Sequence, residues 1–265
     1  MPLHRPRVVE EPFVPGGAFA SVAVAVDVDT DVAAERAVDI AASPADLHPD
    51  DLHPDEHALA LAMPAMRRAG FVAGRLALRA ALRACAPHAA DQPLLRTVRG
   101  GPQLPSGVTG SISHKRTRAI ALAAPSIDTR TDARTDTRTD ARVHAREYVG
   151  VDLEERPTAR DLERPSIARR ILTAYEQDVL APLEPLAHRE QTLLHFALKE
   201  AVYKAIDPLV HRYVQFTEVE LDVAADGTAA VRLLLPEPIV RDLAVTAHWR
   251  FDGAFLIAMA RSRTP

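Results

Sequence analysis

Along residues 18–28, larger apolar side chains alternate with Ala and Ser (Phe19-Ala20-Ser21-Val22-Ala23-Val24), a period of two that predicts a strand. A polar, proline-punctuated stretch follows, with a short helix expected near residues 32–40. Beyond Pro54 the period changes. Phe71, Leu78 and Leu82 recur at steps of seven and four, so a long helix is predicted to about residue 84, with a break at Pro64. Arg68, Arg75, Arg79 and Arg83 fall on a second stripe of that helix, and for Arg79 and Arg83 the pattern reads as a solvated face.

A short strand is expected around residues 94–98. It precedes the turn-rich run Arg99-Gly100-Gly101-Pro102-Gln103-Leu104-Pro105-Ser106-Gly107, and then residues 110–114 and 119–124 read as two strands. Residues 128–142 repeat a Thr-Asp-Ala/Thr-Arg tetrad with no apolar side chain larger than Ala. Such a segment buries too little surface to offset its ordering entropy, so a flexible surface insertion is predicted. Glu147-Tyr148-Val149-Gly150-Val151-Asp152-Leu153-Glu154 reads as a strand that turns acidic at its end. Helices are expected at about 166–180 and 190–206, and strands at 216–223, 229–235, 243–251 and 254–260, the last two joined by an Asp252-Gly253 turn. Strands and one long helix thus occur in each half. This predicts an α+β fold of two similar lobes, residues 1–125 and 147–265, separated by the charged insertion 126–146.

Composition sharpens this picture. With 265 residues, 47% of them hydrophobic and 26% charged, the chain can bury a sizeable core, and a net charge of −4 argues against general nucleic-acid binding. The single Cys85 excludes an internal disulfide and a thiolate zinc cluster, and implies a reducing compartment. The early apolar run is short and ends in acids, so neither a signal peptide nor a membrane span is expected, and a cytoplasmic location follows. Of 32 basic residues only three are lysine: Lys115, Lys199 and Lys204. Arg offers a planar fork and Lys a compact, mobile point charge, so lysines retained in such a chain invite a chemical reason.

Side chains alternate across a strand, so Asp152 and Glu154 share a face and together suit a hard divalent cation such as magnesium. Solvated acids at a strand end are the plain alternative. Glu200 and Lys204 stand one helical step of four apart, either as a surface ion pair or as a third carboxylate with a mobile cation for phosphate chemistry. Ser113 and His114 are neighbours on a strand and face opposite ways, so they do not form a nucleophile and base, and no G-x-S-x-G elbow is present. A polar strand end that contacts a phosphate is the better reading.

Five segments in order carry a resemblance: Gly74-Arg75 and its helix; Arg96-Thr97-Val98-Arg99-Gly100-Gly101-Pro102 with Pro105; Gly110-Ser111-Ile112-Ser113-His114; Gly150-Val151-Asp152-Leu153-Glu154; and Phe196-Ala197-Leu198-Lys199-Glu200-Ala201-Val202-Tyr203-Lys204. Together they resemble the 4′-phosphopantetheinyl transferase superfamily, in its longer two-lobed branch that activates siderophore, nonribosomal-peptide and polyketide synthetases. The resemblance implies a pseudo-dimer of α+β lobes with the active site at their interface. It implies magnesium-dependent transfer of the phosphopantetheine arm of coenzyme A to a serine of an apo acyl, peptidyl or aryl carrier protein, releasing adenosine 3′,5′-bisphosphate, by a monomer.

By the same resemblance Asp152, Glu154 and Glu200 would hold magnesium, Glu200 would also be the general base, and Lys204 would neutralise the pyrophosphate. Lys199 could reach the donor's phosphates, and Arg75, Arg96, Arg99, Ser113 and His114 would grip the nucleotide, with Asp152 also at the coenzyme A site. Two departures stand out. Gly101 and Leu104 occupy turn positions where relatives carry a lysine and an aromatic residue, which leaves the grip there to Arg96 and Arg99. Arg67 and Arg68 are expected to offer a basic docking surface to an acidic carrier. The competing readings are a non-catalytic coenzyme A or carrier-binding module on the same fold, and a nucleotide-pyrophosphate hydrolase. Lys115 is left without a role.

Overall fold

The computed structural model describes residues 7–10, 18–24, 41–42, 50, 52–126, 146–236 and 243–264. The expected helix at 32–40 and the charged tetrads of 128–142 lie outside them. The first lobe comprises β1 (Arg7–Glu10), β2 (Ala18–Val24), β3 (Ala41–Ala42), helices α1 (Pro54–Leu61), α2 (Ala65–Cys85) and α3 (Pro87–Ala90), and strands β4 (Val108–His114) and β5 (Arg118–Pro125). Its sheet runs β1-β2-β5-β4, with β3 paired to β2. The second lobe comprises β6 (Glu147–Glu155), α4 (Ala168–Ile171), α5 (Ala174–Leu180), α6 (Pro185–Val210), β7 (Val219–Val223), β8 (Thr228–Leu233), β9 (Ala244–Asp252) and β10 (Phe255–Arg263). Its sheet runs β6-β10-β9-β8-β7. The fold is α+β.

The predicted break at Pro64 separates α1 from α2: proline lacks an N–H and is the N-cap of α2, in an extended conformation with ψ 142°. Leu78 and Leu82 are fully buried and Phe71 packs against the same core. Each such leucine is worth roughly 1.5–3 kcal/mol over exposure. The second stripe departs from expectation. Arg83 is exposed, but Arg79 is buried, donating 2.7 Å to the buried Glu56 carboxylate and also to the Ala90 carbonyl. Arg68 donates to the carbonyls of Ala60 (3.1 Å) and Met63 (3.1 Å), closing the end of α1, so its guanidinium is occupied rather than offered to a partner.

Other differences have local causes. In place of a strand at 94–98 there is one bridge, Arg96 to Pro102, around a tight turn in which Gly100 has φ +92°. The helix expected over 166–180 divides into α4 and α5 because Thr173 caps α5: its hydroxyl takes the Glu176 amide while the Glu176 carboxylate takes the Thr173 amide. The β9–β10 register pairs Asp252 with Phe255, which moves the two-residue turn to Gly253-Ala254, with Gly253 at φ +59°.

The lobes meet where β4 lies along β6. The amides of Val149, Val151 and Leu153 donate to the hydroxyls of Thr109 (3.2 Å), Ser111 (3.0 Å) and Ser113 (3.2 Å), so β6 is joined to the first sheet by side chains. Ile120 and Leu122 of the first lobe share a core with Val149, Val151, Leu153, Ile257 and Met259 of the second. Val149, Val151 and Leu153 are thereby committed to the junction. Gly150 and Asp152 lie against α6.

Candidate active site

Gly150 sets the distance between β6 and α6. A Cβ there would stand 1.9 Å from the Ala201 carbonyl oxygen, so only glycine lets the helix lie this close. One turn beyond Ala201, the Lys204 ammonium then donates to the Val151 carbonyl (2.9 Å) and to Oδ1 of Asp152 (2.7 Å). The Ser113 hydroxyl donates to the same Oδ1 at 2.8 Å. Two residues along the same face, Glu154 is paired through Oε1 with the Lys115 ammonium at 2.6 Å. The lysine without a role in the sequence is therefore part of the acidic centre.

Three carboxylates and two ammonium groups make up this centre. Burial raises the Glu154 carboxyl above the ordinary range, offset by Lys115 and reinforced by the charge of Asp152. Burial also raises Glu200, with Lys204 opposing and Asp152 adding to the rise. Oδ2 of Asp152 is buried and has no hydrogen-bond partner. An orphaned carboxylate oxygen beside two further carboxylates is a donor set suited to a hard divalent cation. Among the described residues no three His, Cys, Asp or Glu side chains stand close enough to form a ready cage. The arrangement therefore fits an ion held by one or two protein carboxylates and completed by ligand and water oxygens.

Next to this centre a cleft of about 780 Å³ opens between the lobes, lined by α2, the 96–102 turn, β4 and α6. Glu200 and Lys204 belong to its α6 wall, and Arg75, Arg96, Arg99 and His114 to the opposite side. Arg75 donates to the Leu95 carbonyl (3.2 Å) and stacks 4.7 Å from the Phe71 ring centre, but its Nε is buried without a partner. Burial lowers its pKa to about 10. Arg99 crosses the cleft to the Asp207 carboxylate of α6, with Nε 2.8 Å from Oδ2 and Nη2 3.5 Å from the Tyr203 hydroxyl. The His114 ring occupies space that Gly70 leaves free, since a Cβ there would be 2.8 Å from Nδ1. Burial, then Lys204 and Lys115, lower its pKa.

Two residues assigned to the donor by resemblance lie elsewhere. Ser113 is buried in the lobe junction, where its hydroxyl is bonded to Asp152 and to the Leu153 amide. The Lys199 ammonium has no exposed surface. It donates to Oε2 of Glu176 (2.6 Å) and to the carbonyls of Ile171 (2.7 Å) and Phe216 (3.1 Å). Its neighbour Glu200 is rotated about 100° round the helix and so reaches the cleft. Tyr203 and Asp207 are not among the expected site residues; their i+3 and i+7 spacing from Glu200 is the signal that places them on its side of α6.

A two-lobed α+β chain with a carboxylate centre beside an arginine-lined cleft defines a protein built to hold a polyanion next to a cation. Comparison with known families narrows this. Residues 55–124 match the 4′-phosphopantetheinyl transferase N-terminal domain, and residues 148–260 match the 4′-phosphopantetheinyl transferase superfamily. The chain belongs to the 4′-phosphopantetheinyl transferase superfamily. The 4′-phosphopantetheinyl transferase Svp of Streptomyces mobaraensis is 35% identical over 152 residues, covering 56% of this chain and 52% of that protein, so the match spans about half the relative's length. Among solved structures, an apo-ACPS from Chronobacterium ammoniagenes is similar at 23% identity over 46% of this chain and 99% of its own, with a TM-score of 0.38. The ACPS–CoA complex from the same organism is similar at 24% identity over 45% and 98%, with a TM-score of 0.35. Among the described residues no helix is long and apolar enough to cross a membrane.

Proposed function

We propose that this chain transfers the 4′-phosphopantetheine arm of coenzyme A to a serine of an apo carrier protein, releasing adenosine 3′,5′-bisphosphate. The observation that carries the reading is the placement of Glu200 and Lys204 on one wall of the interlobe cleft, with Asp152 held by Lys204 and arginines opposite. The nucleotide lies against Arg75, Arg96, Arg99 and His114, and Arg99 exchanges Asp207 for phosphate. Lys204 neutralises charge on the pyrophosphate. Glu200 takes the proton of the carrier serine hydroxyl as that oxygen attacks the β-phosphorus. The bond from this phosphorus to the bridging oxygen breaks, and the bisphosphate departs with its electron pair. A carboxyl raised above its ordinary range is a better base near neutral pH than a solvated one.

Asp152, with Glu154 or Glu200 beside it, would hold magnesium. When bound, the ion offsets the negative charge of the pyrophosphate and of the departing phosphate. The acid Glu154 is the more restrained candidate ligand, since Lys115 already pairs with it. Lys199 is left out of the donor site in this reading. Residues 1–125 and 147–265 act as the two halves of a pseudo-dimer, within a cytoplasmic monomer that serves synthetases of siderophore, nonribosomal-peptide or polyketide type.

Incubation of the purified chain with coenzyme A, magnesium and a panel of apo acyl, peptidyl and aryl carriers tests the reading by intact mass. A gain of one phosphopantetheine arm is expected. No gain on any carrier, with coenzyme A still bound, would leave a binding module instead, and cleavage of coenzyme A without a carrier would indicate a pyrophosphate hydrolase.

A further inference from the structure

We propose that Ser113 is a positioning residue that acts through Asp152 and does not contact the nucleotide. The inference deepens the transfer reading and rests on it. A serine hydroxyl has one proton to give, and here it goes to Oδ1 of Asp152 at 2.8 Å while the oxygen accepts the Leu153 amide at 3.2 Å. The hydroxyl proton is thus spent within the protein. The residue is buried, with both its donor and its acceptor capacity directed to β6.

The consequence falls on the carboxylate. Oδ1 accepts from both Ser113 and Lys204, while Oδ2 is buried with no partner. Two donors on one oxygen fix the rotation of the group and leave the other oxygen as a single oriented acceptor. A carboxylate so restrained presents one lone-pair-bearing atom to a cation without first having to be ordered. Outer partners of this kind typically change metal affinity by about 10–100-fold. Ser113 also belongs to the hydroxyl ladder Thr109, Ser111, Ser113 that receives the β6 amides, so the device orienting Asp152 is the last rung of the junction between the lobes.

The test is calorimetric. Magnesium chloride is titrated into coenzyme A-saturated protein, and coenzyme A separately into metal-free protein held in chelator. Four chains are compared: the parent, Ser113→Ala, Ser113→Thr and Thr109→Val. Thr109→Val removes a rung that touches no carboxylate. The expected result is a magnesium Kd raised about tenfold or more in Ser113→Ala, recovered in Ser113→Thr, near parental in Thr109→Val, with metal-free coenzyme A affinity within about twofold throughout. Weaker metal-free coenzyme A binding by Ser113→Ala with an unchanged magnesium Kd would overturn the proposal in favour of nucleotide contact. An equal rise in magnesium Kd for Thr109→Val would overturn it in favour of a general effect of the junction. If Ser113→Ala does not fold, Ser113→Thr carries the test against Ser113→Val. Absence of any magnesium binding by the parent would instead mark failure of the metal part of the functional reading, and it is seen before any variant is made.

Discussion

Replacing Lys199 with methionine separates two roles that its place in the sequence leaves confounded. The substitution nearly preserves volume and removes the ammonium. Glu176, whose side chain is fully buried, then loses its counter-charge, and the carbonyls of Ile171 and Phe216 lose a donor. Breaking a buried pair by removing one partner costs about 3–5 kcal/mol. The lower end applies here, because the amides of Thr173 (2.7 Å) and Leu221 (2.8 Å) continue to support the carboxylate. A loss of about 3 kcal/mol corresponds, at roughly 2–4 °C per kcal/mol for a chain of this size, to a Tm lower by roughly 6–12 °C. Scanning calorimetry of the full chain measures this, and titration of coenzyme A in chelator measures the other role. The expected pattern is a lower Tm with coenzyme A affinity within about twofold of the parent. Lys204→Met should instead weaken coenzyme A binding, since its ammonium lies on the cleft wall and is partly exposed. An unchanged Tm for Lys199→Met together with a tenfold loss of coenzyme A affinity would refute the reasoning and return Lys199 to the donor's phosphates.

Gly150→Ala forces its methyl group into the Ala201 carbonyl, so α6 must move off β6. A loss of about 1–3 kcal/mol or more is expected, with turnover reduced about a hundredfold because Glu200 and Lys204 travel with the helix; a calorimetric scan and steady-state kinetics check both. Glu200→Gln should lower transfer by about 10²–10⁴-fold without lowering Tm at pH 7. The sign follows from its raised pKa: burial disfavours the charged form, so stability falls as pH rises from the unfolded value through the folded one. The amide removes that penalty, and a large drop in Tm would instead mean that Glu200 is structural. For the parent chain, the acid limb of kcat/KM for the proposed transfer should break above the value of about 4.3 for a free glutamate side chain.

Much of the fold was legible because its signals are local. Alternation marked β2, β4, β6 and the β9–β10 hairpin, and proline marked the break between α1 and α2. Thr173 and Glu176 carry a capping-box signature that ends one helix and starts the next, a local signal that outweighs the helical period on either side of it. Arg79 looked like surface because its helix stripe is charged, yet its partner Glu56 comes from another element 23 residues away. No periodicity within α2 reports that pairing.

At the candidate site the lysines show the division most clearly. Strand alternation alone predicted that Asp152 and Glu154 share a face, and helical spacing that Glu200 and Lys204 do. The same spacing sets Lys199 and Lys204 about 140° apart on α6, so only one of them could face the cleft. Which one was decided by where Glu176 and the Ile171 and Phe216 carbonyls lie, on segments distant in sequence. Lys115 gained its role in the same way, through an acid on a strand of the other lobe. Dihedral preference and side-chain period are properties of a short stretch of chain, so the sequence determined most of the elements, the apolar face of α2, and two pairs of the site's charges. The partner of a charge depends on which elements the packed core and the hydroxyl ladder between β4 and β6 bring together. That was settled by the tertiary structure alone.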